Sequence, residues 1–242
     1  MRKLLGLVLT TGALLGSLPL DVAARELGTV EKEIQEQWDK HKSITAKLKT
    51  VTRMDMGDEV NEGECRGTYQ VVKKGGKTLF RQYYERRVVT KVGDRREIAD
   101  EKNMMIMDGE FLYKLIEIMG RKAASKQKPG PQDYPGPKSR LGILRKDYGL
   151  KLLPPESVDG SGVYMIEGRR KKESTSPISR TILYYRRDGV LMKVVNYVGE
   201  KPVQTTTFSD IELDVKVEPC LFVFKPPQGV QVRDLTHGPT QK

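Results

Sequence analysis

The chain has 242 residues, with 43 Lys and Arg against 32 Asp and Glu, a formal charge of +11, two cysteines and two histidines. That length suits one domain with a sizeable core. His41 and His237 stand far apart, and no HExxH, CxxC or other clustered metal-ligand spacing occurs.

Arg2 and Lys3 precede an apolar stretch from Leu4 to Leu20, and Val22-Ala23-Ala24 supplies the small residues of a cleavage site. This is the pattern of an export signal over 1–24. The alternative, a membrane-spanning helix, needs about 20 strongly apolar residues, and here Gly12, Gly16 and Pro19 interrupt the run. No cysteine follows the stretch to take a lipid. The expectation is therefore a soluble, monomeric periplasmic chain with one domain over 25–242. A basic surface attracts polyanions, anionic lipid headgroups or acidic partners, and export argues against nucleic acid. The same charge is also what solvated outer faces of strands would carry.

"GTVEKEIQEQWDKHKSI" reads as a helix with Thr29 as its cap, Glu31 and Glu33 in the first turn, and Val30, Ile34 and Trp38 as one apolar stripe. From Thr45 the period changes to two. In "TAKLKTVTRMDM", Ala46, Leu48, Thr50, Thr52, Met54 and Met56 share a face. "ECRGTYQVV" and "TLFRQYYERRVVTKV" follow as strands around Gly75-Gly76, the second with Phe80, Tyr84, Val88 and Val92 on one side. "NMMIMDGEFLYKLIEIM" is a hairpin turning at Asp108-Gly109. Both of its faces are apolar, so either both are covered or one faces a greasy cavity.

"KQKPGPQDYPGPKS" is a loop, and "SRLGILRKDYG" a short helix capped by Ser139, with Leu141, Leu144 and Tyr148 as a stripe and Gly149 as its end. A Pro/Gly-flanked helix between strands is either a movable lid or a piece packed permanently across a sheet end. "DGSG" at 159–162 is a turn rather than a phosphate cradle, because a strand follows it. "GVYMIEGRRKK", "SRTILYYRRDGVLMKVVNYV" with a turn at Arg187-Asp188-Gly189, "VQTTTFSDIELDV" and "LFVFKP" complete about nine strands. The expected fold is mainly β: an incomplete antiparallel barrel, a half-barrel, with an N-terminal helix and a lid helix over an apolar cavity. Cys65 and Cys220, each in an expected strand, suggest a disulfide, with two free thiols as the alternative.

No nucleophile elbow, dinucleotide fingerprint or P-loop appears, so the expectation is a binding protein and not an enzyme. The apolar surplus lies in Leu48, Met54, Tyr69, Phe80, Tyr84, Met105, Met107, Phe111, Tyr113 and Leu115, under a lid carrying Leu141 and Leu144. Methionine adapts to ligands of varied shape. Each buried chain methylene contributes about 0.8 kcal/mol, so a cavity lined this way suits an acyl chain.

In this order, "HKSITAKLKTVTRM", "GTYQVVKKGGKTLFRQYYE", "MIMDGEFLYKL", "YYRRDGVLMKVVNYV" and "FVFKPPQGVQV" resemble the periplasmic outer-membrane lipoprotein carriers, the LolA-like family. The last segment, a late strand followed by Pro226-Pro227 and Gly229-Val230, is the most specific. The resemblance implies a cavity that receives lipoprotein acyl chains or related lipids from an inner-membrane transporter and passes them to an outer-membrane acceptor, without cofactor or covalent chemistry. The family's carriers often have Arg-Pro, implicated in cargo release, where this chain has Lys73 and Lys74. A charge survives there, but arginine's planar fork does not. Two other classes fit less of the sequence: a periplasmic regulator of the same shape bound to a membrane-protein partner, and a basic scaffold for a polyanion.

Overall fold

The computed structural model describes residues 26–55, 57–158 and 161–236. The export signal expected over 1–24, Met56, the start of the 159–162 turn and His237 lie outside them.

A helix, α1 (Leu27–Lys40), leads into β1 (Ser43–Asp55), β2 (Glu59–Lys74), β3 (Lys77–Val92), β4 (Arg95–Met107), β5 (Leu112–Ile118) and β6 (Arg121–Gln127). A second helix, α2 (Pro137–Asp147), interrupts the strands. Then come β7 (Tyr148–Val158), β8 (Ser161–Arg170), β9 (Arg180–Arg186), β10 (Leu191–Val198), β11 (Lys201–Leu213) and β12 (Val232–Asp234). All twelve strands form one sheet in the order β12-β6-β5-β4-β3-β2-β1-β11-β10-β9-β8-β7. Its ends, β12 and β7, do not meet, so the barrel is incomplete. Pairing is antiparallel throughout except where β12 lies parallel to β6.

Alternation along each strand divides the sheet into two faces. The inner face carries Ile44, Tyr69, Val71, Phe80, Met105, Met107 and Leu112 from one half and Ile166, Leu183 and Tyr185 from the other. Both halves pack on α1, whose Val30, Ile34 and Trp38 are 0%, 0% and 5% exposed. The β9–β10 turn docks directly onto α1. A Cβ on Gly189 (φ +82) would lie 2.3 Å from the Ile34 carbonyl oxygen and 2.5 Å from the Trp38 nitrogen, so only glycine lets the turn seat there. Gly67 serves a similar end inside the sheet, since a Cβ there would lie 1.9 Å from the Tyr83 carbonyl oxygen.

The outer face of the β4–β5 hairpin is covered too. After β11 the chain crosses it: a 3-10 turn at Pro219–Phe222 packs near β3, Phe224 stacks on Tyr113 at 5.0 Å between ring centroids, and β12 joins β6. Ile106 and Ala124 on this face are buried, as is Phe222. This settles why the hairpin is apolar on both sides: helices cover one face and the C-terminal segment covers the other.

Several expectations need correction. The described residues form twelve strands rather than about nine, and β6 and β7 were not among those expected. Residues 220–224 form no strand. They lie on the crossing segment, where they cap an already complete ladder. Cys65 and Cys220 are both free. Cys65 is buried on the inner face of β2, opposite Thr50 and Arg86, whereas Cys220 is exposed on the crossing segment. The sheet lies between them. Helix α1 begins two residues before Thr29, because the Thr29 and Val30 amides both bond to the Glu26 carbonyl and Leu27 packs on the core. Glu31 and Glu33 therefore fall beyond the first turn. Helix α2 begins with Pro137 at its first position, where the missing N–H costs nothing. Ser139 instead donates to the Pro131 carbonyl at 2.7 Å, and Tyr148 and Gly149 open β7.

Candidate ligand-binding site

Helix α2 lies over the inner face beside α1. Two of its residues, Pro137 and Leu141, are buried. Leu144 packs against the same core cluster as Leu141, and the polar fastenings of α2 are an ion pair between Arg145 and Glu31 of α1 and a 2.9 Å bond from the Lys138 amide to the Gln35 side chain. The Lys171 ammonium caps its C-terminus by donating to the Arg145 carbonyl at 2.8 Å and the Lys146 carbonyl at 3.3 Å.

Between α2 and the sheet lies a cavity of about 340 Å³. Tyr69, Phe80, Gln82, Met105 and Leu112 line one wall, Thr181, Leu183, Val194 and Asn196 the other. Arg140, Ile143 and Leu144 of α2, with the loop at 132–136, form the roof. A second void of about 20 Å³ adjoins it, bounded by Trp38, Ala46, Pro137, Tyr185 and Phe208. Tyr69, Gly136 and Arg140 border both spaces. The Tyr69 ring packs edge-on against Phe80 and Phe208, each at 5.4 Å between centroids. Enclosure pushes its phenol up to about 12, against the opposing charge of Arg140. The Tyr185 hydroxyl is buried and has no hydrogen-bond partner, and burial raises its phenol further still.

The residues picked from the sequence separate into four groups. Tyr69, Phe80, Met105 and Leu144 line the cavity. Met107 and Leu141 are buried in the core clusters. Leu48 is buried on the inner face opposite Gly67 of β2 and Phe208 of β11, while Tyr84 and Met54 lie progressively towards the far end of that face. Phe111 and Tyr113 are corrections. Tyr113 pairs with Ile106 and Lys126 on the outer face and stacks on Phe224. Phe111 lies beside it, beneath the Lys126 and Lys128 ammonium groups. Arg140, Leu183, Tyr185 and Phe208 were not picked. Strand alternation in "SRTILYYRR" does place Leu183 and Tyr185 on one side, but nothing in the sequence says that this side faces the cavity.

Lys73 meets α1 and not the lid. Its ammonium donates to the Trp38 carbonyl, sits 4.8 Å from the Trp38 ring centroid and lies 3.8 Å from Asp39. Burial lowers its pKa, with Asp39 and Asp214 opposing. A cation at the last carbonyls of a helix is favourable, so this lysine pins the C-terminal end of α1 to β2. Among the described residues no group of three or more His, Cys, Asp or Glu could hold a metal ion, and no helix is long and apolar enough to cross a membrane.

No family model matches the sequence, and no curated protein matches it. Similar solved structures include a DUF1329 family protein from Desulfovibrio piger, with TM-score 0.35, 13% identity, and 83% of this chain and 98% of that one covered. The MucA/MucB complex of Pseudomonas aeruginosa matches at TM-score 0.37 and 14% identity over 81% of this chain, which spans 58% of the matched chain. A LolA superfamily protein from Nitrosomonas europaea matches at TM-score 0.29 and 16% identity, over 80% of this chain and 97% of that one. At these scores the likenesses transfer no function to this chain.

Proposed function

We propose that this protein is a periplasmic, non-enzymatic carrier that shelters an acyl chain of a lipoprotein or lipid between α2 and the inner face of the sheet. The observation that carries the reading is the 340 Å³ cavity, with aromatic and aliphatic walls interspersed with polar side chains, beneath a helix fastened to α1 by polar contacts. That volume falls at the low end of the roughly 300–1,000 Å³ typical of small-ligand pockets. It suits a single chain with the lid closed, and a multiply acylated cargo would require α2 to lift. Loading from an inner-membrane transporter and delivery to an outer-membrane acceptor are the roles that such a carrier would play.

The polyanion scaffold is disfavoured by the far ends of β1–β4. There Arg53 and Lys91 flank Glu62, Lys49 and Arg66 flank Glu64, and Arg87 pairs with Asp100. Charges of both signs alternate across this surface, so it presents no single-sign field.

The test is to purify the chain from cells, extract it with organic solvent and identify lipid by mass spectrometry. Binding of a fluorescent fatty acid is then measured on the delipidated protein. A co-purifying acylated species and saturable probe binding are expected. Their joint absence sinks the proposal.

A further inference from the structure

The roof of the cavity carries a cation that the protein leaves uncommitted. The Arg140 side chain, half-buried on α2, has no ion pair or hydrogen bond among the described residues, yet its charge reaches both Tyr69 and Tyr185. Of the cations around it, Arg145 on the lid pairs with Glu31, and Lys171, just after β8, holds the last carbonyls of the helix. Neither carboxylate nearby pairs with Arg140. Glu31 gives one oxygen to Arg145 and keeps the other, Oε1, buried and unpartnered, with its charge reaching Tyr185, and Asp133 accepts the Gly130 amide at 2.8 Å. Tyr185, 1% exposed, borders with Arg140 the smaller of the two spaces, and its buried hydroxyl has no partner. An unanswered buried hydroxyl is a standing cost unless something occupies the site. The adjoining void of about 20 Å³ has room for one water or for the oxygens of a small head group. Gly136, the N-cap of α2, borders both spaces, so the positive end of that helix faces them too.

We infer that the cavity selects amphiphiles with an acidic head, a carboxylate or a phosphate, held by the Arg140 guanidinium and the Tyr185 hydroxyl while the chain occupies the 340 Å³ space. The inference rests on the acyl-chain reading of this cavity and specifies what that reading leaves open. Arginine matches both heads because its fork donates two parallel bonds to either oxyanion. Enclosure strengthens such a pair relative to one in water. The Tyr185 phenol, neutral at physiological pH, supplies the third donor.

The test uses the full chain and three probes with one tail: dodecanoate, dodecyl phosphate and dodecanol. Calorimetry should show the acids binding about 10- to 100-fold tighter than the alcohol, the span expected of a charged hydrogen bond. Arg140→Gln should abolish that preference by weakening the two acids far more than dodecanol. Arg140→Lys should keep part of it, and Tyr185→Phe should weaken the acids more than the alcohol. Whichever acid binds tighter identifies the head. Equal binding of acids and alcohol, or an Arg140→Gln variant that weakens all three alike, overturns the head-group inference while the acyl cavity stands. No binding by any probe overturns both.

Discussion

The two helices lie on the same face of one sheet, and they are held there differently. Helix α1 buries a whole stripe and admits the backbone of the β9–β10 turn against its own backbone at Gly189. It touches both halves of the sheet and joins two core clusters. Helix α2 contributes Leu141 to one cluster, with Leu144 packed beside it and Pro137 buried, and otherwise holds by an ion pair with a half-exposed Arg145, a side-chain bond to Gln35 and a lysine cap. Apolar interdigitation is lost only with the fold, whereas polar fastenings exchange readily with water. The contrast separates a keystone from a door.

The sharpest way to break this comparison is to damage α1. Ile34→Ala should cost about 3–4 kcal/mol, as a fully buried aliphatic truncated to a cavity. Gly189→Ala should cost about 3 kcal/mol through a strained positive φ and a clash with α1. Urea melts that leave either variant as stable as the parent would mean that α1 is not integral. A smaller effect is expected at alkaline pH, because Tyr69 and Tyr185 keep their protons under these helices. An unfolded phenol ionises near pH 10, so the stability they contribute is whole below pH 10 and is lost as pH rises towards 12. Ultraviolet titration should show two tyrosines ionising only as the protein unfolds. The smallest change in stability should come from Glu31→Gln, about 0.2–1 kcal/mol, yet it should loosen the door. Amide exchange in α2 should quicken while that in α1 still requires global unfolding. If α1 and α2 exchange together in the parent protein, they form one unit and the distinction fails.

The α1 stripe and the Asp108-Gly109 turn were legible because each is a local rule. Val30, Ile34 and Trp38 recur every four residues, and the Asp108 carboxylate accepts the Glu110 and Phe111 amides at 2.9 and 2.8 Å. Strand β6, "RKAASKQ", has no alternating apolar face, and Ala124 is buried only because a distant segment crosses it. Strand β7 hides behind Pro154-Pro155. It tolerates them as an edge strand whose register shifts between Leu153 and Glu156. The "CLFVF" segment reads as a strand by composition, but its apolar side chains serve a covering role. For the same reason Phe111 and Tyr113 looked like cavity residues: a sequence shows that a strand is greasy on two sides without saying what lies over each. Arg140 was invisible as a site residue because one more arginine in a basic chain looks like solvent-facing charge.

The strand order also constrains how the molecule can assemble in time. Strands β1–β6 and β7–β11 are two meanders, each built from neighbours in sequence. Local hairpins of this kind close in about microseconds. The seam between them is β1 against β11, where Ile44 finds Leu213. That pairing must wait until nearly the whole chain is available, and such distant closures make β proteins slow folders. Until the seam zips, Ile34 and Trp38 have nothing complete to pack against. A chain made from its N-terminus therefore has its keystone helix first and the seat for it last, and becomes one structure only when its final strands arrive.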